Sequence, residues 1–165
     1  MKNVLFFFIL FHCFNSAVNA QTRPQTRPQP RPETRELCQH QQPPSGWVVI
    51  SYRNTDCCRR PATVRKPTIQ RIDGLPPGTI LNICSQPIPS GWVLVSQRYN
   101  DWDCTPKGST IRYSPTIKRI EGLPSGTTVE ICLQPTPEGW EVIGYENRLG
   151  RCLTGFARTK IIRKL

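Results

Sequence analysis

Apolar residues along this chain come in short runs broken by polar ones. Leu81 and Ile83, like Val129 and Ile131, have the two-residue spacing of one strand face, with Asn82 and Glu130 between them on the other. After each of three tryptophans comes another run: Val48-Val49-Ile50, Val93-Leu94-Val95 and Glu141-Val142-Ile143. Glu141 implies that the position after Trp faces water, so that each Trp and the residue two beyond it share the buried side. Ile69–Ile72 and Ile117–Ile120 supply the remaining strands, about ten in all.

Two kinds of turn punctuate the runs. Pro76-Pro77-Gly78-Thr79 and Pro124-Ser125-Gly126-Thr127 precede one class of strand. Pro44-Ser45-Gly46-Trp47, Pro89-Ser90-Gly91-Trp92 and Pro137-Glu138-Gly139-Trp140 precede the other. Glycine in the third place provides the positive φ of a type II turn.

These pieces repeat. Thr68 to Cys84 matches Thr116 to Cys132 without a gap, 48 positions on, and each cysteine is followed one residue later by Gln-Pro-x-Pro-x-Gly-Trp. An earlier copy ends Gln-Pro-Pro-Ser-Gly-Trp47 after Cys38, and the last stops at Lys160-Ile-Ile-Arg163. The fold predicted is all-β: about three repeats of ~47 residues, stapled by disulfides. They form either a closed trefoil-like body or tandem small β modules, and the partial units at the two ends favour strands from both termini completing one shared structure.

The cysteines follow the same phase. Cys38 and Cys58, Cys84 and Cys104, and Cys132 and Cys152 are each 20 positions apart. That spacing favours one disulfide inside each repeat, with cross-repeat pairing such as Cys104 to Cys132 as the alternative. Each closed loop is worth roughly 3 kcal/mol by chain entropy. Cys57 is left unpaired; it serves either as a link in a covalent homodimer or as a buried or capped thiol. A zinc site lacks its ligands: there is no Cys-x-x-Cys, and His40 is the only histidine beyond the leader.

Met1 to Ala20 has the parts of a signal peptide: Lys2, an apolar run from Val4 to Phe11, and Val18-Asn19-Ala20 at the cut. The apolar run is too short to span a bilayer. Residues 21–37 form a Pro-, Arg- and Gln-rich arm with Arg23, Arg27 and Arg31 at every fourth place, read as extended. Residues 38–165 form the cysteine–tryptophan β domain. The expected location is secreted and extracellular, or periplasmic in a bacterium.

Charge narrows the function more than it names it. The chain carries a formal +11, and its 17 prolines and 11 glycines argue against a helical bundle. Arg59-Arg60, Arg65-Lys66, Arg71, Lys118-Arg119, Lys160 and Arg163-Lys164 gather around the Ile-x-x-Ile strands, where repetition would stack them into a positive stripe. The alternative is a solvated strand face whose charge guards an edge.

The three repeated tryptophans are in phase with the apolar face and are read as core anchors before sugar platforms. Trp102 has no counterpart in the other copies and is the candidate exposed contact residue. Catalysis would have to use His40 or unrepeated carboxylates such as Asp56, Asp101, Asp103 and Glu146. No phosphate loop or metal motif appears. The expectation is a non-enzymatic protein without cofactor or metal that binds an anionic polysaccharide or cell-surface glycan. Arg59, Arg60, Arg71, Lys118, Arg119 and Trp102 are its contact residues. The alternative is an effector or inhibitor acting on an extracellular protein through the variable loops 54–66, 99–114 and 146–158, which disulfides would hold ready for binding.

Overall fold

The structure, a computed structural model, describes residues 32–38, 41–54, 65–99, 102–105, 113–152 and 158–165. Residues 31–165 form one compact unit. Among the described residues there are nine strands: β1 Thr34–Glu36, β2 Trp47–Asn54, β3 Arg65–Arg71, β4 Ile80–Asn82, β5 Trp92–Tyr99, β6 Tyr113–Arg119, β7 Thr128–Cys132, β8 Trp140–Asn147 and β9 Arg158–Lys164. One 3₁₀ turn, Trp102–Cys104, lies between β5 and β6.

The strands make three separate antiparallel sheets, ordered β1-β3-β2, β4-β6-β5 and β7-β9-β8. In each, the last strand in sequence runs down the middle, between a short edge strand and the strand that opens with tryptophan. The repeats are therefore tandem modules, and the described strands form no closed body. Nor do the ends share a unit. Thr34–Glu36, within the segment whose composition reads as an arm, pairs with β3 and supplies the first module's own edge strand.

The turns follow from glycine. Gly46, Gly91 and Gly139 have φ of 77°, 78° and 75°, and the following Trp N–H donates to the carbonyl of Pro44, Pro89 or Pro137. A side chain at these positions would be strained.

Register divides each sheet into two faces. In the second module Leu81, Ile117 and Leu94 lie in one row, with Trp92 beside Arg119 in the next; we call this the leading face. Ile80, Lys118 and Val93 lie on the opposite, trailing face. The equivalent rows are Arg35, Ile69, Val49 and Thr34, Gln70, Val48 in the first module. In the third they are Val129, Ile162, Val142 and Thr128, Arg163, Glu141.

The core lies between modules. Val48 and Ile72 from the first trailing face cluster with Ile83, Trp92 and Ile117 from the second leading face. Val93 and Ile120 from the second trailing face cluster with Val129, Ile131, Trp140 and Ile162 of the third. Val48 and Val93 are each 1% exposed. This corrects the alternation inferred from Glu141. The residue after Trp is deeply buried wherever another module follows, and Glu141 marks a face with no following module.

Each junction is fastened at a β-bulge. The ladder slips between Val49 and Ser51 and between Leu94 and Ser96, just after two residues of an edge strand whose N–H and C=O point away from the middle strand. Val49 N–H donates to Gln86 Oε1 at 3.1 Å, and Gln86 Nε2 donates back to Val49 O at 3.0 Å. Leu94 and Gln134 make the same pair at 3.2 and 3.1 Å. A primary amide offers both donor and acceptor and so matches a peptide group. The glutamine of the repeated Cys-x-Gln-Pro signature is thus an inter-module clamp.

Candidate functional site

Strands β2, β5 and β8 are eight residues long, whereas edge strands β1 and β4 have three and β7 five. The hairpins β2–β3, β5–β6 and β8–β9 therefore overhang their edge strands, and their outer ends carry the variable loops. Cys84–Cys104 and Cys132–Cys152 tether two of these loops to the ends of β4 and β7. Cys38 is also disulfide-bonded. Cys57, Cys58, Arg59, Arg60 and His40 lie outside the described residues.

Each tethered loop rests on the hairpin of the module before it. Arg65, at the start of β3, donates from Nη1 to the Trp102 carbonyl and to the Thr105 carbonyl at 3.0 Å, and pairs with Asp103 at 3.9 Å. Gln97 N–H, in β5, donates to the Arg151 carbonyl at 2.8 Å, and Arg151 Nε donates to Val95 O at 3.0 Å. Arg151 also meets Glu130 at 2.6 Å, and Arg148 meets the same carboxylate at 3.6 Å. These contacts place the described loop residues, 102–105 and 148–152, along one edge of the stack.

Aromatic and cationic side chains are left open on that edge. Tyr99, Trp102 and Tyr145 are 66%, 61% and 61% exposed. Arg53, Arg98 and Arg158 are exposed, one on each module, and enter no ion pair among the described residues. Arg53 and Arg98 occupy equivalent places, six residues after their module's tryptophan. Stacked sheets lie about 10 Å apart, so adjacent modules present these guanidinium groups within reach of one extended polymer. Deeper in the hairpins, burial raises the Tyr52 hydroxyl pKa and lowers that of Lys160, whose Nζ donates to Thr136 Oγ1 at 2.9 Å.

The residues expected to form a basic stripe are distributed differently. Arg71 and Arg119 sit opposite Trp47 and Trp92 on the leading faces, at the far end of the hairpins, while Lys118 lies half-buried on the trailing face. Arg71 meets Glu33 at 3.7 Å. Arg119 pairs with Glu121 at 2.7 Å and donates to the Leu75 carbonyl. Lys164, its counterpart, donates to the Leu123 carbonyl. The recurring cation opposite each tryptophan thus holds the Gly-Leu-Pro connector of the preceding module in two junctions. Trp102 lies at the hairpin edge and away from this column.

Composition around the strands missed Arg53, Arg98, Arg158, Tyr99 and Tyr145 as a group. The repeat register counted from each tryptophan would have found Arg53 and Arg98, but the same place in the third module is Glu146, and Arg158, Tyr99 and Tyr145 stand at other offsets. Among the described residues no helix is long and apolar enough to cross a membrane, and no three His, Cys, Asp or Glu side chains gather as metal ligands. No protein-family model, curated protein or solved structure matches the chain.

Proposed function

We propose that this is an exported, non-enzymatic binding protein that holds an anionic glycan along the outer hairpin edge. The observation that carries this reading is the set of exposed arginines, one per module and outside the described ion pairs, flanking exposed Trp102 and Tyr99. Guanidinium groups recognise sulfate and carboxylate in a bidentate manner, and aromatic faces stack on sugar rings. The disulfides hold the loops in place before binding, which lowers the entropy lost when a ligand is gripped. They also agree with an oxidising compartment, as the leader does.

The test is chromatography on heparin and a glycan array at low salt. The protein is expected to be retained and to elute as salt screens the arginines. Replacing Arg53, Arg98 and Arg158 together by Ala should move elution to markedly lower salt. Trp102→Ala should cost about 1 kcal/mol or more, roughly five-fold in affinity. An unretained folded protein, or a triple variant that elutes unchanged, overturns the reading. Because tethered variable loops also suit a protein target, an empty array with a stoichiometric protein captured by the same edge would select that alternative.

A further inference from the structure

The first module leaves open a set of polar groups that the other two modules close. Lys66 and Thr68, two places apart in β3, share the trailing face on the hairpin side of the Val48 row that the second module covers. Lys66 is 4% exposed, yet its Nζ and Thr68 Oγ1 are buried without a hydrogen-bond partner among the described residues. Arg53 stands directly across the ladder from Lys66, and neither cation enters an ion pair among the described residues. Like charges placed opposite each other repel, and a buried ammonium without a counter-charge is costly. On the same face lies a cavity of about 340 Å³ whose lining includes Glu36, Ser51, Arg53 and Thr68.

The other modules show how such a face is closed. In the second, Ser114 replaces Lys66 opposite Arg98, and Thr116 Oγ1, in the row of Thr68, donates to Asn82 Oδ1 at 2.8 Å. In the third, Thr159 replaces Lys66 and its Oγ1 donates at 2.6 Å to the carboxylate of Glu130, which also meets Arg151 at 2.6 Å. Glu36 holds the place of Asn82 and Glu130 in β1, but it is exposed and enters no ion pair among the described residues. The first module therefore presents the cations of such a face without an anion joining them.

We infer that the first module takes up one acidic sugar unit, its carboxylate or sulfate held by Arg53 and Lys66 and its ring beside Ser51 and Thr68. The cavity is at the lower end of the range for small-molecule sites, room for one such unit and not for a stretch of polymer. Lys66 reaches it on a flexible four-carbon stem; its ammonium has no bond where it lies, so turning to the anion breaks none. That the anion is carried by a sugar rests on the function proposed above, whereas the need for an anion at this place rests on the first module alone.

Isothermal titration of the full protein with sodium glucuronate, and with sodium sulfate, at matched ionic strength tests this. Both should bind saturably at one site per chain, compete with each other and raise Tm. Lys66→Met keeps the stem and removes the charge, and should weaken glucuronate binding by about ten-fold or more. Without ligand, that variant should unfold at a temperature no lower than the wild type, since nothing bonded to the ammonium is lost. Arg53→Gln, on exposed surface, should weaken binding by a similar factor, and Glu36→Gln should tighten it by removing a like charge from the rim. The inference is overturned by a wild type without saturable binding, by undiminished binding in Lys66→Met or Arg53→Gln, or by sulfate bound without glucuronate. A Lys66→Met protein that unfolds well below the wild type also overturns it, because the lysine would then have an internal partner. Heparin retention with no glucuronate binding overturns this inference and leaves the reading of the hairpin edge standing; glucuronate binding with no heparin retention does the reverse.

Discussion

Among single residues, two recurring features of the repeat have structural duties that their residue types explain. Gln134 answers both the N–H and the C=O of Leu94, groups on the outer side of an edge strand. Replacing it by Ala leaves that peptide unsatisfied at a part-buried position. Gln134→Ala should lower stability by about 1–3 kcal/mol, read as a shift in urea midpoint with unchanged slope. The cation of Arg119 and Lys164 ties the preceding connector's carbonyl, so its recurrence reflects the junction as much as any ligand. Repetition in the sequence marked both features. Their partners, 40 and 44 positions away for Gln134 and Arg119, were invisible to local pattern.

Among the elements, the strand opening with each tryptophan is nearly the same in pattern in all three modules and differs in environment. Val93 is sealed against β7 and β9 of the third module, whereas Glu141 faces outward and pairs with Arg163. Val93→Glu should therefore cost about 3 kcal/mol or more, because an unpaired carboxylate would enter an apolar junction. Glu141→Gln should change stability by less than about 1 kcal/mol. Thermal or urea unfolding of the two variants side by side checks the contrast. Equal effects would mean that β5 and β8 are buried alike.

For the whole molecule, three thin sheets are stable only as a stack. The first two bury their trailing faces against the sheet that follows, so energy is shared between neighbours as in other linear repeat proteins. The disulfides act across these boundaries. Cys132–Cys152 lies within the third module, yet it holds the loop whose Arg151 carbonyl accepts from Gln97 of the second. Replacing both cysteines by Ala should cost roughly 3 kcal/mol. It should also speed hydrogen exchange at the Gln97 amide, a site in a module that carries no mutation. Exchange confined to the third module would show that the loop does not couple them.

Residue order alone revealed everything governed by short-range rules: strand alternation, glycine-bearing turns, the 48-residue period, and cysteines in phase with it. Those follow from φ preferences, side-chain alternation and chain spacing, all of which act within a few residues or are visible as repetition. Which faces are buried, and where charge is free, was settled by the packing of one sheet on the next. Val93 and Glu141 hold the same place in their strands, and a following sheet covers one and not the other. The same holds for the cations. Arg119 is drawn inward by a carbonyl supplied from the connector before it, while Arg53 and Arg98 stay open at hairpin ends that outrun their edge strands. Burial and pairing depend on which surfaces the chain brings together, and that is set when the modules stack.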